Sequence, residues 1–103
     1  MAKESLQNIE KRIRDLTSQL AELKHMRPGT LSVQYRDPAK KKKPFHQISY
    51  THKGKSRSEY VRAENLGTIS QELANYKTFK AIVDELIDLS IKASHMRSNT
   101  RKG

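Results

Sequence analysis

The sequence predicts an α+β fold: two long helices with heptad seams flanking a small antiparallel β-sheet of two to three strands. Three observations predict it. Apolar residues recur at helical spacing near both ends of the 103-residue chain. They alternate at strand spacing in the middle. The excess positive charge is confined to that same middle segment.

Leu6, Ile9, Ile13, Leu16, Leu20 and Leu23 step by three and four residues without interruption, which is a heptad seam. The spacing predicts a helix over about residues 4–26, capped by Ser5 or Glu4 and ended by Pro28 and Gly29. A helix of under three heptads is marginal alone. Its seam therefore needs a partner, either the other helix of the chain or a second copy in a homodimer.

Residues 30–62 read as the sheet. Leu31, Val33 and Tyr35 alternate with Ser32, Gln34 and Arg36. Ile48 and Tyr50 alternate with Gln47, Ser49 and Thr51, and Tyr60 follows Ser56 and Ser58. Asp37–Pro44, with two prolines and four lysines, reads as an exposed, mobile loop. Two registers are open for the second turn. A three-residue loop, His52-Lys53-Gly54, puts Tyr60 on the face of Ile48 and Tyr50 and is preferred here. A two-residue Lys53-Gly54 loop puts Tyr60 on the opposite face.

A second helix is predicted over about residues 64–96, with a tail over 97–103 expected to be disordered. Gly67 weakens the first turn, so Thr68, in a capping box with Gln71, is an alternative start. Phe79, Ile82, Leu86, Leu89, Ala93 and Met96 repeat the seam spacing, but the step from Tyr76 to Phe79 breaks the phase. One helix with two partners explains the break. The first half covers the sheet, and the second half pairs with the first helix or a second subunit. The whole of 1–96 is read as one domain.

Composition narrows the function. Hydrophobic residues are 34%, with four glycines besides, against roughly 45–50% on a count that includes glycine. A thick closed core is not expected. Without cysteine, disulfides, zinc fingers, iron–sulfur clusters and thiol nucleophiles are excluded. The start MAKESLQNIEKR has no apolar signal region, and no apolar run approaches a bilayer span. The expectation is a soluble cytoplasmic protein. Net charge is +10, and residues 27–62 hold ten Lys/Arg against two Asp/Glu. Such a stripe is the electrostatic footprint of a nucleic-acid contact. The bland alternative is a solubilising loop.

The stretch from Gly29 to Val61 resembles a family of small bacterial proteins of uncharacterised function, encoded mostly beside transposases and other mobile elements. The resemblance rests on Gly29-Thr30-Leu31 with Tyr35, on Pro44-Phe45 at a Pro-Tyr position, and on Ile48-Ser49-Tyr50. Gly54-Lys55, Tyr60-Val61 and Asn75-Tyr76 extend it, over roughly residues 27–90. Many members carry several cysteines after the first strand, in what looks like a metal knuckle. This sequence has Asp37-Pro38-Ala39 and Lys40–Lys43 there, so it is a variant without them and no metal or cofactor is assigned. The resemblance implies mobile-element biology and nucleic-acid binding, and supplies no known activity.

No catalytic constellation stands out. Asp84 and Asp88 share a helix face able to hold magnesium, but a solvated surface beside Lys80 and Lys92 is the plainer reading. His25, His46, His52 and His95 lack metal spacing, and Ser49, Ser56 and Ser58 lack a nucleophile elbow. The chain is read as no enzyme. The positive case is a basic β-ribbon whose polar face carries Gln34, Arg36, Gln47, Ser49, Thr51, Arg57 and Glu59, sized for a major groove. The predicted contacts are Arg36, Lys40, Lys41, Lys42, Lys43, Gln47, Lys53, Lys55, Arg57 and Arg62. Six neutralised phosphates give a log–log salt slope of about −5 on duplex DNA. Tyr35, Tyr50 and Tyr60 are expected in the core, although Tyr35 or Phe45 can stack on a single strand if the sheet face is open. The leading expectation is a non-catalytic accessory protein of a mobile element that binds nucleic acid, DNA before RNA, as a homodimer. The alternative is a coiled-coil adaptor or inhibitor whose basic loop docks on an acidic or nucleic-acid-binding partner.

Overall fold

The computed structural model describes residues 5–100. In chain order they form α1 (Leu6–Glu22), β1 (Thr30–Asp37), β2 (Lys42–His52), β3 (Lys55–Val61), a 3₁₀ turn (Ala63–Asn65) and α2 (Leu66–Thr100). The fold is α+β, with one antiparallel sheet in the order β1-β2-β3. The chain divides into two compact units, and the division cuts α2 between Lys77 and Thr78. This lies inside the Tyr76-to-Phe79 phase break. The two halves of α2 thus belong to different units, as one helix with two partners requires.

One unit joins α1 to the second half of α2. Ser5 caps α1, its side chain accepting a hydrogen bond from the Asn8 amide at 3.1 Å. The other candidate cap, Glu4, lies outside the described residues. Ile9, Leu16, Ile82 and Ala93 are buried in this unit. Arg12 pairs with Glu85 at 2.9 Å and Arg97 with Glu10 at 3.2 Å, so the two segments run antiparallel. Arg12 donates two hydrogen bonds to the Glu85 carboxylate. These hydrogen bonds, and then the guanidinium charge, hold Glu85 below the usual carboxylate range.

The other unit contains the sheet and the first half of α2. Ile48, Val61 and Leu73 form its buried core, with Leu31, Leu66 and Ile69 packed around them. Burying each of these side chains fully contributes about 1.5–3 kcal/mol. Gly29 has φ of 142°, and a Cβ there would meet Ile48 Cγ1 at 2.9 Å and the Ser49 carbonyl at 3.1 Å. Its hydrogen side chain is what lets the chain enter β1 against the fully buried Ile48.

Several boundaries differ from the sequence reading. First, α1 ends at Glu22, not near residue 26, because Leu23 is extended and its amide closes on the Leu20 carbonyl. Downstream, the Asn75 side chain donates to the His25 carbonyl at 2.8 Å, and the Arg27 amide donates to the Glu72 carbonyl. Tertiary partners, not Pro28, therefore stop the helix. Second, the loop between β1 and β2 shrinks to Pro38–Lys41, because β2 starts at Lys42 opposite Asp37. Third, His52 pairs with Lys55, which leaves the two-residue Lys53-Gly54 turn and excludes the preferred three-residue loop. Lys53 and Gly54 have φ of 52° and 77°, positive at both central positions as a type I′ turn demands. Fourth, α2 starts at Leu66 behind the 3₁₀ turn, with Gly67 inside it, so Thr68 is no cap. A Cβ added at Gly67 would meet nothing within 4 Å, so no close approach requires glycine there. The helix runs on through Thr100, and the last three residues of the expected tail lie outside the described residues. No helix among the described residues is long and apolar enough to cross a membrane.

Candidate nucleic-acid interface

The strand registers sort the sheet into two faces. Leu31 pairs with Ile48 and Ile48 with Glu59; Val33 pairs with His46 and His46 with Val61; Tyr50 pairs with Arg57. Side chains alternate along a strand, so these residues share the face that carries the core. Tyr35 falls on that side too. The opposite face holds Ser32, Gln47 and Tyr60 as one cross-strand row, and Thr30, Ser49 and Ser58 as the next. Gln34 pairs with Phe45 and Thr51 with Ser56 on the same side.

This assignment corrects the sequence reading at three residues. Arg57 and Glu59, expected on the polar face, lie on the core face. Tyr60, expected in the core, is on the open face and 61% exposed. A one-residue change in turn length inverts every side chain of the following strand, so the turn decides all three.

The Arg36 guanidinium carbon sits 5.4 Å from the Phe45 ring centroid. The Phe45 and Tyr60 rings are 6.3 Å apart at 41°. Phe45 on the central strand is thus flanked by a cation from β1 and a ring from β3, in a row across all three strands. Below it runs a strip of hydroxyls. Ser49 and Ser58 share a hydrogen bond at 3.3 Å, and Thr51 and Ser56 share one at 2.9 Å. Together with Thr30 they line a shallow groove of about 420 Å³, whose lining also includes Tyr50 and Arg57 of the core face.

The predicted cations gather at two ends of this sheet. Arg36, Lys40, Lys41, Lys42, Lys43 and Arg62 lie at the end nearest Phe45, whereas Lys53, Lys55 and Arg57 lie at the other. All of them are exposed. Arg62 pairs with Glu64 at 3.6 Å. Among the described residues the other eight form no ion pair. Lys41 and Lys43 have positive φ, 51° and 56°, a left-handed conformation that costs a side-chain-bearing residue about 1 kcal/mol. Gln47 is half-buried between Ser32 and Tyr60.

On the core face, Tyr50 donates a hydrogen bond to the Glu59 carboxylate at 2.7 Å. Arg27 lies 3.5 Å from Glu59 and 5.2 Å from the Tyr50 centroid. The hydrogen bond to Glu59, followed by desolvation, raises the Tyr50 pKa above the usual phenol range. Glu59 is one of two acids in residues 27–62, and its carboxylate faces Arg27 and Tyr50, not the open face.

Tyr60 is the residue that sequence reasoning missed. The Lys-Gly pair offered a two-residue turn that puts Tyr60 on the side of Phe45, but the three-residue loop serves the same hydrophobic pattern, so the sequence left the choice open.

The family model described as a domain of unknown function, DUF6788, matches residues 6–71. That covers more than half of the chain, so the chain belongs to this family. The match takes in α1, the whole sheet and the first turns of α2. No curated protein and no solved structure matches the chain.

Proposed function

We propose that this member of the DUF6788 family is a non-catalytic nucleic-acid-binding protein, acting as a DNA-binding accessory factor of a mobile element. One observation carries the binding role. The open sheet face lines up Arg36, Phe45, Gln47 and Tyr60 beside lysines that have no acidic partner in the described chain. Eight excess positive charges on residues 27–62 repel one another until an anion covers them. A polyanion with planar bases offers both phosphates for the cations and surfaces for the rings. The mobile-element setting, and with it a cytoplasmic site of action, is supported by the resemblance of residues 27–90 to proteins encoded beside transposases.

The test is binding of the purified protein to labelled nucleic acid across a salt series. The expected result is a steep fall of log affinity with log salt. Replacing Lys40, Lys41, Lys42 and Lys43 by Ala should weaken binding for all sequences alike. If all four touch phosphates, the slope should flatten by about 3 units. An unchanged affinity and slope would remove this turn from the interface.

A second reading, an adaptor or homodimer working through its helices, is favoured by Ile87 and Ile91. They stand one turn apart on α2 and are 52% and 53% exposed. The seam residues assigned to a dimer divide within a single chain: Ile9 and Leu16 are buried, while Leu6, Ile13, Leu20 and Leu23 are half-buried. The surface left for a second copy therefore centres on α2.

A further inference from the structure

We infer that the open face of the sheet takes single-stranded nucleic acid, with unpaired bases stacked on Phe45 and Tyr60 and the backbone held by Arg36 and Lys40–Lys43. This rests on the nucleic-acid reading and narrows it to a ligand class.

The argument begins with Phe45. It sits on the central strand of a polar, cationic face and has no polar atom with which to meet a phosphate. Its neighbours across the sheet are Arg36 at 5.4 Å and the Tyr60 ring at 6.3 Å. Tyr60, although aromatic, is 61% exposed. Within the unit that holds the sheet, α2 packs on the other face, through Leu66, Ile69 and Leu73. An exposed Tyr60 ring beside a half-buried Phe45 ring on an otherwise polar face favours a planar, apolar surface as the missing neighbour.

A duplex does not present one. Its base faces are stacked on one another, and only base edges line the grooves. The sheet also has three strands, not two. At about 4.8 Å per strand the backbone alone spans about 10 Å, and with its side chains it is too broad to lie in a groove about 12 Å wide. A single strand splays its bases freely, and aromatic side chains on a β-sheet stack two or three of them. The rings here stand on adjacent strands, which suits one base each.

The charge distribution fits the same ligand. Lys40–Lys43, Arg36 and Arg62 surround the aromatic row at one end of the sheet. The hydroxyls of Ser49, Ser58, Thr51 and Ser56 continue along the same face towards Lys53. Cations at both ends and neutral donors between them make a track for phosphates beside the stacking platform.

The experiment compares the full-length protein with Tyr60→Ala, Tyr60→Phe and Phe45→Leu. The probes are an end-labelled oligo(dT), the matching oligo(U), and a duplex of the same length, read by fluorescence anisotropy over a salt series. Circular dichroism confirms that each variant is folded. Phe45→Leu keeps an apolar side chain and removes the aromatic face, so loss of binding there is not loss of packing. The expected result is at least tenfold tighter binding to one of the single strands than to the duplex. Tyr60→Ala should weaken that binding by about 5- to 150-fold, Tyr60→Phe should restore it, and the salt slope should not change. Equal or tighter duplex binding, or folded Tyr60→Ala and Phe45→Leu proteins with wild-type affinity, overturns the single-strand inference and leaves the nucleic-acid reading intact. Absence of binding to all three probes at low salt overturns both.

Discussion

Gly29 and Tyr60 show how single side chains set both the stability and the exposed chemistry of the sheet. Gly29 faces Ile48, which is fully buried, and its φ of 142° lies where other residues rarely go. Gly29→Ala should lower the melting temperature, with a cost of about 1–3 kcal/mol from the strained backbone and the contact with Ile48. Thermal unfolding by circular dichroism measures it. Gly54→Ala supplies the comparison: a Cβ there meets nothing within 4 Å, so only the positive φ of 77° is felt and the cost should be nearer 1 kcal/mol. At the same scale, Tyr50 holds its proton against Glu59. Its raised pKa means that this stabilisation is present below the usual phenol range and is lost as pH rises through the folded value. In a phenolate absorbance titration, Tyr50→Phe should remove a step that lies above the usual phenol range. The alternation of Leu31 with Ser32 and of Ile48 with Ser49 was legible in sequence. The destination of Tyr60 was not, because its parity hangs on whether one more residue joins the loop.

Turns and helix ends are where local signals and tertiary structure parted. Ser5 capped α1 as its position before a heptad seam implies. The end of α1 was set by partners fifty residues away, since the Asn75 side chain and the Glu72 carbonyl draw residues 25–27 out of helical geometry. The lysine run shows the same limit. Four lysines after Asp-Pro-Ala signal a loop, yet Lys42 and Lys43 are drawn into β2 by pairing with β1. Between α1 and the second half of α2, the Arg12–Glu85 pair makes a pH-dependent contribution. Glu85 titrates below the usual carboxylate range, so this stabilisation is fully present above that range and is lost as pH falls through the depressed value. Melting curves from about pH 3 to about pH 7 should show it. The wild-type protein should lose more stability at the acid end than Arg12→Ala, which lacks the pair. Parallel curves would assign the acid response to other carboxylates.

At the scale of the whole molecule, residues 27–62 carry +8 of the +10 net charge and expose Val33 and Tyr60, while α2 exposes Ile87 and Ile91. If α2 pairs with a second copy, sedimentation equilibrium should give a dimer whose dissociation constant rises at least tenfold in Ile87→Asp, with nucleic-acid affinity falling alongside. A concentration-independent monomer would confine function to the sheet of one chain. The sequence by itself determined the α+β class, the three strands' approximate places, the phase break in α2 and the basic character of the middle third. Each of these follows from local periodicity or from composition, which no distant contact can alter. Only the tertiary structure decided where α1 stops, how many residues form the second turn, and therefore that Tyr60 joins Phe45 and Arg36 on the open face while Arg57 leaves it. Those outcomes depend on hydrogen bonds between segments far apart in the chain and on a strand register whose alternatives differ by one residue and share the same hydrophobic pattern.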